Sequence, residues 1–123
     1  MPFVLRDFER ETTVDDLIKR ARTEALFRDV NERIAESAER FDADFTEFMC
    51  ECADPACTER VEASLEQYED VREDGATFLV APGHEDPVIE RVVERHRRFN
   101  VIEKVERVVA QTVRRLDPRT QTA

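Results

Sequence analysis

Glycine is scarce: two occur in 123 residues, Gly75 and Gly83. A phosphate-cradling loop or a dinucleotide fingerprint needs several glycines close together, so both are excluded. Tryptophan is absent, and histidine occurs only at positions 84 and 96. Two imidazoles leave few ways to pair a nucleophile with a base, and no serine–histidine–acid arrangement stands out. The H-E-x-x-H pattern of metalloproteases is missing, as is the H-x-E with P-C-x-x-C of zinc deaminases. No apolar run approaches the roughly 18 residues of a membrane span. The stretch Met1-Pro2-Phe3-Val4-Leu5-Arg6-Asp7 lacks the basic region and long apolar region of a secretory leader. The expectation is a soluble, cytoplasmic protein.

Charge is what the sequence has in abundance, with 39% charged against 41% hydrophobic residues. That leaves apolar material for one modest core in one small domain. The formal net charge of −10 disfavours nucleic acid as a partner, because polyanions repel acidic proteins. The charge is uneven. Residues 50–87 hold eleven acids against Arg60 and Arg72, whereas residues 88–116 hold eight basic residues against four acids. An acidic middle and a basic end can attract each other within one molecule or between two.

Residues 1–12 read as a polar lead-in. Thr13 with Asp16 three positions on suggests a helix start, a variant of the capping box. Apolar residues then recur at helical spacing through Leu17, Ala21, Phe27, Val30, Ile34, Ala38 and Phe41. This predicts a helix over 13–41, either one bent helix or two. A short strand is expected over Glu59–Ala63, with Val61 and Ala63 on one face. Ser64 and Gln67 form a capping box for a helix carrying Leu65, Tyr68 and Val71 and ending near Gly75. Thr77–Val80 reads as a compact strand stopped by Ala81-Pro82-Gly83-His84. Residues 88–105 admit an amphipathic helix or a β-hairpin. The β-branched pairs Val92-Val93 and Val101-Ile102 flanking His96-Arg97-Arg98 favour the hairpin. Val105, Val108, Val109, Thr112, Val113 and Leu116 give a last helix, stopped by Asp117-Pro118. The predicted class is α+β: a long N-terminal helix, a small antiparallel sheet carrying a knuckle at 50–57 and a C-terminal helix. The domain spans 13–116, with 117–123 as a tail.

All three cysteines fall in one C-x-C-x4-C cluster, Cys50, Cys52 and Cys57. Three sulfurs round a turn suit zinc, which takes four tetrahedral ligands and accepts thiolate and imidazole. The fourth ligand must come from elsewhere. His84 is the better candidate, because it follows a strand on the Pro82-Gly83 turn. His96 sits in a basic cluster and is expected to face solvent. Free thiols and a disulfide switch are the competing readings, though a disulfide would leave an odd thiol over.

The C-x-C-x4-C spacing over Cys50–Cys57 resembles the post-SET zinc knuckle of protein lysine methyltransferases. The chain is too short for a SET domain, so the likeness implies no methyltransferase activity. Between Phe27 and Lys104 the sequence is similar to short uncharacterised actinobacterial proteins. The shared segments are Phe27–Ile34, the knuckle, Phe78-Leu79-Val80-Ala81-Pro82-Gly83-His84-Glu85 and Val101–Lys104. That resemblance implies a single conserved module and carries no catalytic residues across.

A Cys3His set closes the zinc shell, while a catalytic zinc keeps a position open for water. A structural role also meets a need, since the acidic middle segment is poor in large apolar residues and a metal would fix it. Glu85 is a candidate base only if His84 does not ligate. The favoured reading is therefore a non-catalytic interaction or regulatory module with a protein partner. A thiol–zinc redox sensor and a small zinc-dependent enzyme are the alternatives.

Overall fold

The computed structural model describes residues 13–41 and 44–121. The lead-in expected over residues 1–12 lies outside the described residues. The elements in chain order are α1 (Val14–Arg40), β1 (Thr46–Met49), β2 (Arg60–Ala63), α2 (Leu65–Val71), β3 (Thr77–Val80), β4 (Glu90–Arg95), β5 (Asn100–Lys104), α3 (Arg107–Arg115) and α4 (Pro118–Gln121). The class is α+β.

Helix α1 is one uninterrupted element of 27 residues. Thr13 caps it as expected: its hydroxyl accepts from the Asp16 amide, and the Asp16 carboxylate accepts from the Thr13 amide, each at 3.1 Å. The apolar stripe read from the sequence holds only in part. Phe41 and Val30 are exposed, at 75% and 39%. The face turned inward runs through Ala21, Glu24, Ala25, Arg28, Asn31, Ala35 and Ala38. Three of those residues are polar, and each finds a specific partner in the interior. Tertiary pairing therefore overrides hydrophobicity in setting the rotation of this helix.

The sequence suggested one small sheet, and there are two. β1 pairs antiparallel with β2, placing Phe48 opposite Val61. The other sheet has the order β3-β5-β4, all antiparallel, with Phe78 opposite Ile102. The β4–β5 hairpin is the favoured reading of residues 88–105, and its register shifts between Val92 and Glu94. β3 pairs with β5 rather than with β1 or β2. Its other edge is taken by Glu51, whose amide donates to the Leu79 carbonyl (2.9 Å) and whose carboxylate accepts from the Leu79 amide (3.1 Å). One residue thus does what a neighbouring strand would do, and the two sheets stay separate.

The core is continuous across both sheets. Phe48, Val61, Tyr68, Phe78, Leu79, Val80, Ile102, Val109 and Val113 are all buried within it. The Phe48 and Tyr68 rings stack with centroids 4.5 Å apart. Fully burying such a side chain contributes roughly 1.5–3 kcal/mol. Helix α2 carries the capping box foreseen at Ser64 and Gln67. Beyond α3 the chain stays docked. Asp117 is buried and accepts from Arg72 (2.5 Å), and Arg119 pairs with Glu32 (2.6 Å).

Candidate metal centre

The site is assembled where three segments meet. The first is the end of β1. Asn31 on α1 presents its carboxamide to Met49, donating to the Met49 carbonyl (2.9 Å) and accepting from the Met49 amide (2.8 Å). An amide side chain has one donor edge and one acceptor edge, so it can cap a strand as a second strand would. The same Asn31 nitrogen donates to the Glu51 carboxylate at 2.8 Å. Strand β1 is thereby held at its last residue, and Cys50 leaves it in a fixed direction. The Cys50 amide donates to the Glu59 carbonyl (3.1 Å), which extends the β1–β2 pairing past the strand ends.

The second segment is the turn 52–57. Asp54 organises it, since its carboxylate accepts from the Ala56 amide (2.9 Å) and its carbonyl from the Cys57 amide (3.0 Å). This Asx turn folds Cys57 back towards Cys50 and Cys52. The third segment is the turn after β3. The His84 amide donates to the Ala81 carbonyl at 3.0 Å, closing a four-residue turn. Pro82 and Gly83 occupy its two central positions, and Gly83 has φ +88°. That is the signature of a type II turn, whose third residue must enter the left-handed region.

These pieces bring Cys50, Cys52, Cys57 and His84 together. Their ligand atoms all lie within 4.8 Å of one another, so the group could hold a metal ion. His84 Nδ1 stands 3.5 Å from Cys50 Sγ and 3.6 Å from Cys57 Sγ. The cysteines form no disulfide. Cys50 and Cys52 are buried, while Cys57 is partly open. The Ala81 amide donates to Cys50 Sγ at 3.2 Å. Burial pushes the Cys50 thiol far up, and the neighbouring thiolates add to it; the Ala81 hydrogen bond opposes this without prevailing. Burial raises the Cys52 thiol as well. A crowded, half-dry set of thiols keeps its protons unless a cation takes their place.

His96 stays away from the cluster. It sits 2.9 Å from a Glu94 oxygen and stacks on Phe99. Glu85 follows His84 directly in the chain. Its slight burial would raise its carboxyl, but backbone hydrogen bonds, including that from Gly83, and the Asn100 amide hold it below the ordinary value. Tyr68 is a core residue whose hydroxyl donates to Glu32 at 2.8 Å.

Sequence reasoning missed Glu51 and Asn31, which position the knuckle without belonging to the ligand group. The one available signal was an acid placed between two cysteines, in a position that has to be solvated or buried with a partner. It also missed a cleft of about 460 Å³ beside the cysteines, lined by Arg20, Cys52, Asp54, His84, Asp86 and Glu90 among others. Arg20 and Asp86 form an ion pair on its wall.

No family model, curated protein or solved structure matches this chain. Among the described residues no helix is long and apolar enough to cross a membrane.

Proposed function

We propose that the protein is a small module stapled by a structural zinc ion, with a non-catalytic interaction or regulatory role towards a protein partner. One observation carries the reading: the separations of His84 Nδ1 from Cys50 Sγ and Cys57 Sγ, 3.5 and 3.6 Å. A zinc tetrahedron with Zn–S near 2.3 Å and Zn–N near 2.0–2.1 Å has a sulfur–nitrogen edge of about 3.6 Å. Four protein donors close the shell, which leaves no position for a reacting water. Three thiolates also weaken the metal as a Lewis acid. The staple ties the end of β1, the turn 52–57 and the end of β3 at one point, joining two sheets that share no strand. Three free thiols side by side suit a reducing compartment, and the proposed location is the cytoplasm.

Elemental analysis of the purified protein tests this directly. We expect about one zinc per chain, falling well below half in both Cys50→Ser and His84→Ala. Cobalt substitution should give an intense tetrahedral visible spectrum with sulfur charge-transfer bands. Octahedral bands, or an unchanged metal content in both variants, would overturn the assignment.

A further inference from the structure

An open groove of about 510 Å³ lies between the second half of α1, the start of α2 and α4, away from the cysteine cluster. Ala35, Leu65 and Pro118 form its apolar floor, and Glu32, Glu36, Glu39 and Glu69 its walls. One cation already lies in it. The Arg119 guanidinium donates to Glu32 from Nε (2.6 Å) and Nη2 (2.9 Å), and to Glu69 from Nη1 (3.2 Å) and Nη2 (2.7 Å). Both edges of the planar fork are used, a geometry that lysine cannot copy. The receiving carboxylate is fixed beforehand, because Glu32 also accepts from the Tyr68 hydroxyl (2.8 Å) and from Arg72 (3.2 Å). Glu36 and Glu39 line the same wall and engage no side chain among the described residues. Among the described residues four carboxylates and one guanidinium line the groove; Arg72 also reaches Glu32, and Glu36 and Glu39 keep an excess of negative charge beside the apolar floor.

We propose that this groove is the docking surface for an arginine-bearing, partly apolar segment of a partner protein, with Arg119 marking the chemistry of the guest. The inference deepens the interaction-module reading and rests on it. A guest arginine that displaces Arg119 would take the same fork on Glu32 and Glu69, with Glu36 and Glu39 adding attraction, and apolar neighbours in the same segment would cover Leu65 and Pro118. The charge excess steers association and selects against acidic segments.

The test uses the full chain loaded with zinc and a fluorescein-labelled peptide composed of arginine, leucine and alanine, read by fluorescence anisotropy. Saturable binding is expected. The Glu36→Arg/Glu39→Arg pair should weaken it by about tenfold. The same charge change at residues that do not line the groove, Asp15→Arg/Glu94→Arg, should alter it by no more than about twofold, the residue of long-range attraction. Arg119→Ala vacates the seat and should tighten binding several-fold, more than the at most about twofold expected by long-range attraction when a positive charge is removed elsewhere, as in Arg22→Ala. Absence of saturation, equal losses in the two reversal pairs, equal affinity for a lysine counterpart peptide, or unchanged or weaker binding by Arg119→Ala would each overturn the proposal. Zinc content measured on the same samples separates the two readings. Full zinc without peptide binding sinks the groove alone, and peptide binding by a protein that never holds metal sinks the staple alone.

Discussion

Lys104 reaches Glu24 across 80 positions of sequence, and both side chains are wholly withdrawn from solvent. The same ammonium also pairs with Glu90. One cation sits between two carboxyl groups, so either a surplus negative charge stays in the interior or one of the two takes a proton, and Glu24 Oε1 has no partner among the described residues. Losing the cation would strand both acids. Lys104→Met should therefore destabilise the fold by about 3–5 kcal/mol, the usual outcome when one partner of a buried ion pair is removed. Urea unfolding followed by circular dichroism measures this. A loss below about 1 kcal/mol would mean that water reaches the triad.

The same triad should make stability depend on pH. Burial drives the Glu24 carboxyl from 4.5 up to about 7, and the Lys104 charge pulls back without prevailing. The folded protein then holds a proton that the unfolded chain has already released. Stability should fall as pH rises from about 4.5 to about 7, because the unfolded state binds fewer protons across that window. Glu32 behaves oppositely. Burial alone would raise it, but hydrogen bonds from Arg119 and Tyr68 and the charge of Arg72 hold it down at about 2. Its contribution is complete above 4.5 and is lost as pH drops towards 2. Unfolding free energies across pH for Glu24→Gln and Glu32→Gln check both signs. Glu24→Gln should flatten the upper window and Glu32→Gln the lower one.

Chelation should loosen the molecule locally before it unfolds. Phe48, Val61, Phe78 and Leu79 are buried in a core that Cys50 and Cys52 also join, but most of its members lie in the strands and helices rather than in the cysteine turns. The turns carrying Cys52, Cys57 and His84 have few apolar anchors of their own. Hydrogen exchange after metal removal should show lost protection first at about 50–59 and 81–86, with β3–β5 retained. The apparent Tm should drop by about 10 °C or more, since removing a tightly bound ion costs several kcal/mol of apparent stability. An unchanged exchange pattern after verified metal loss would contradict this. Within the acidic middle segment, Thr77–Val80 is exempt, because its pairing with β5 holds it without the metal.

The elements were legible wherever a local rule acts. The boxes at Thr13 and Ser64, the Pro-Gly turn before His84 and the β-branched pairs of the hairpin each involve residues within a few positions of one another. The C-x-C-x4-C cluster was legible for the same reason, and a fourth ligand had to be found among only two histidines. The inward face of α1 was not legible. Glu24, Arg28 and Asn31 read as surface residues until their partners are placed beside them. Arg28 donates to the Gly75 carbonyl at 2.8 Å and to that of Thr77, and its guanidinium lies over the Phe78 ring at 3.6 Å. Those partners lie more than 45 positions away, beyond the reach of any periodicity. The separation of the sheets was hidden likewise, because it depends on the Glu51 side chain bonding an edge amide.

Asn31 tests that positioning argument. It satisfies both backbone groups of Met49 and one oxygen of the fully buried Glu51. Asn31→Ala leaves three polar partners short of hydrogen bonds, so we expect a loss of about 2–4 kcal/mol. Asn31→Asp should be as harmful, because it offers no donor and sets a second carboxylate beside Glu51. Thermal unfolding of the metal-loaded variants reads both. Stability within about 0.5 kcal/mol of the parent would mean that water replaces the amide without penalty.

Gly83 couples backbone conformation to the candidate metal centre. A Cβ added there meets nothing within 4 Å, so Gly83→Ala causes no steric clash. The cost is conformational alone, because φ is +88° and L-residues avoid that region at about 1–2 kcal/mol. Relaxation of the turn would shift His84, the next residue, relative to the sulfurs. Gly83→Ala should therefore weaken zinc retention by about tenfold, the equivalent of about 1.4 kcal/mol, while a copy with Gly83→Asn suffers less because asparagine tolerates the left-handed region. Competition with a chromophoric chelator measures the affinities. Equal retention by the parent and the alanine variant would show that the imidazole is held by its surroundings rather than by the turn.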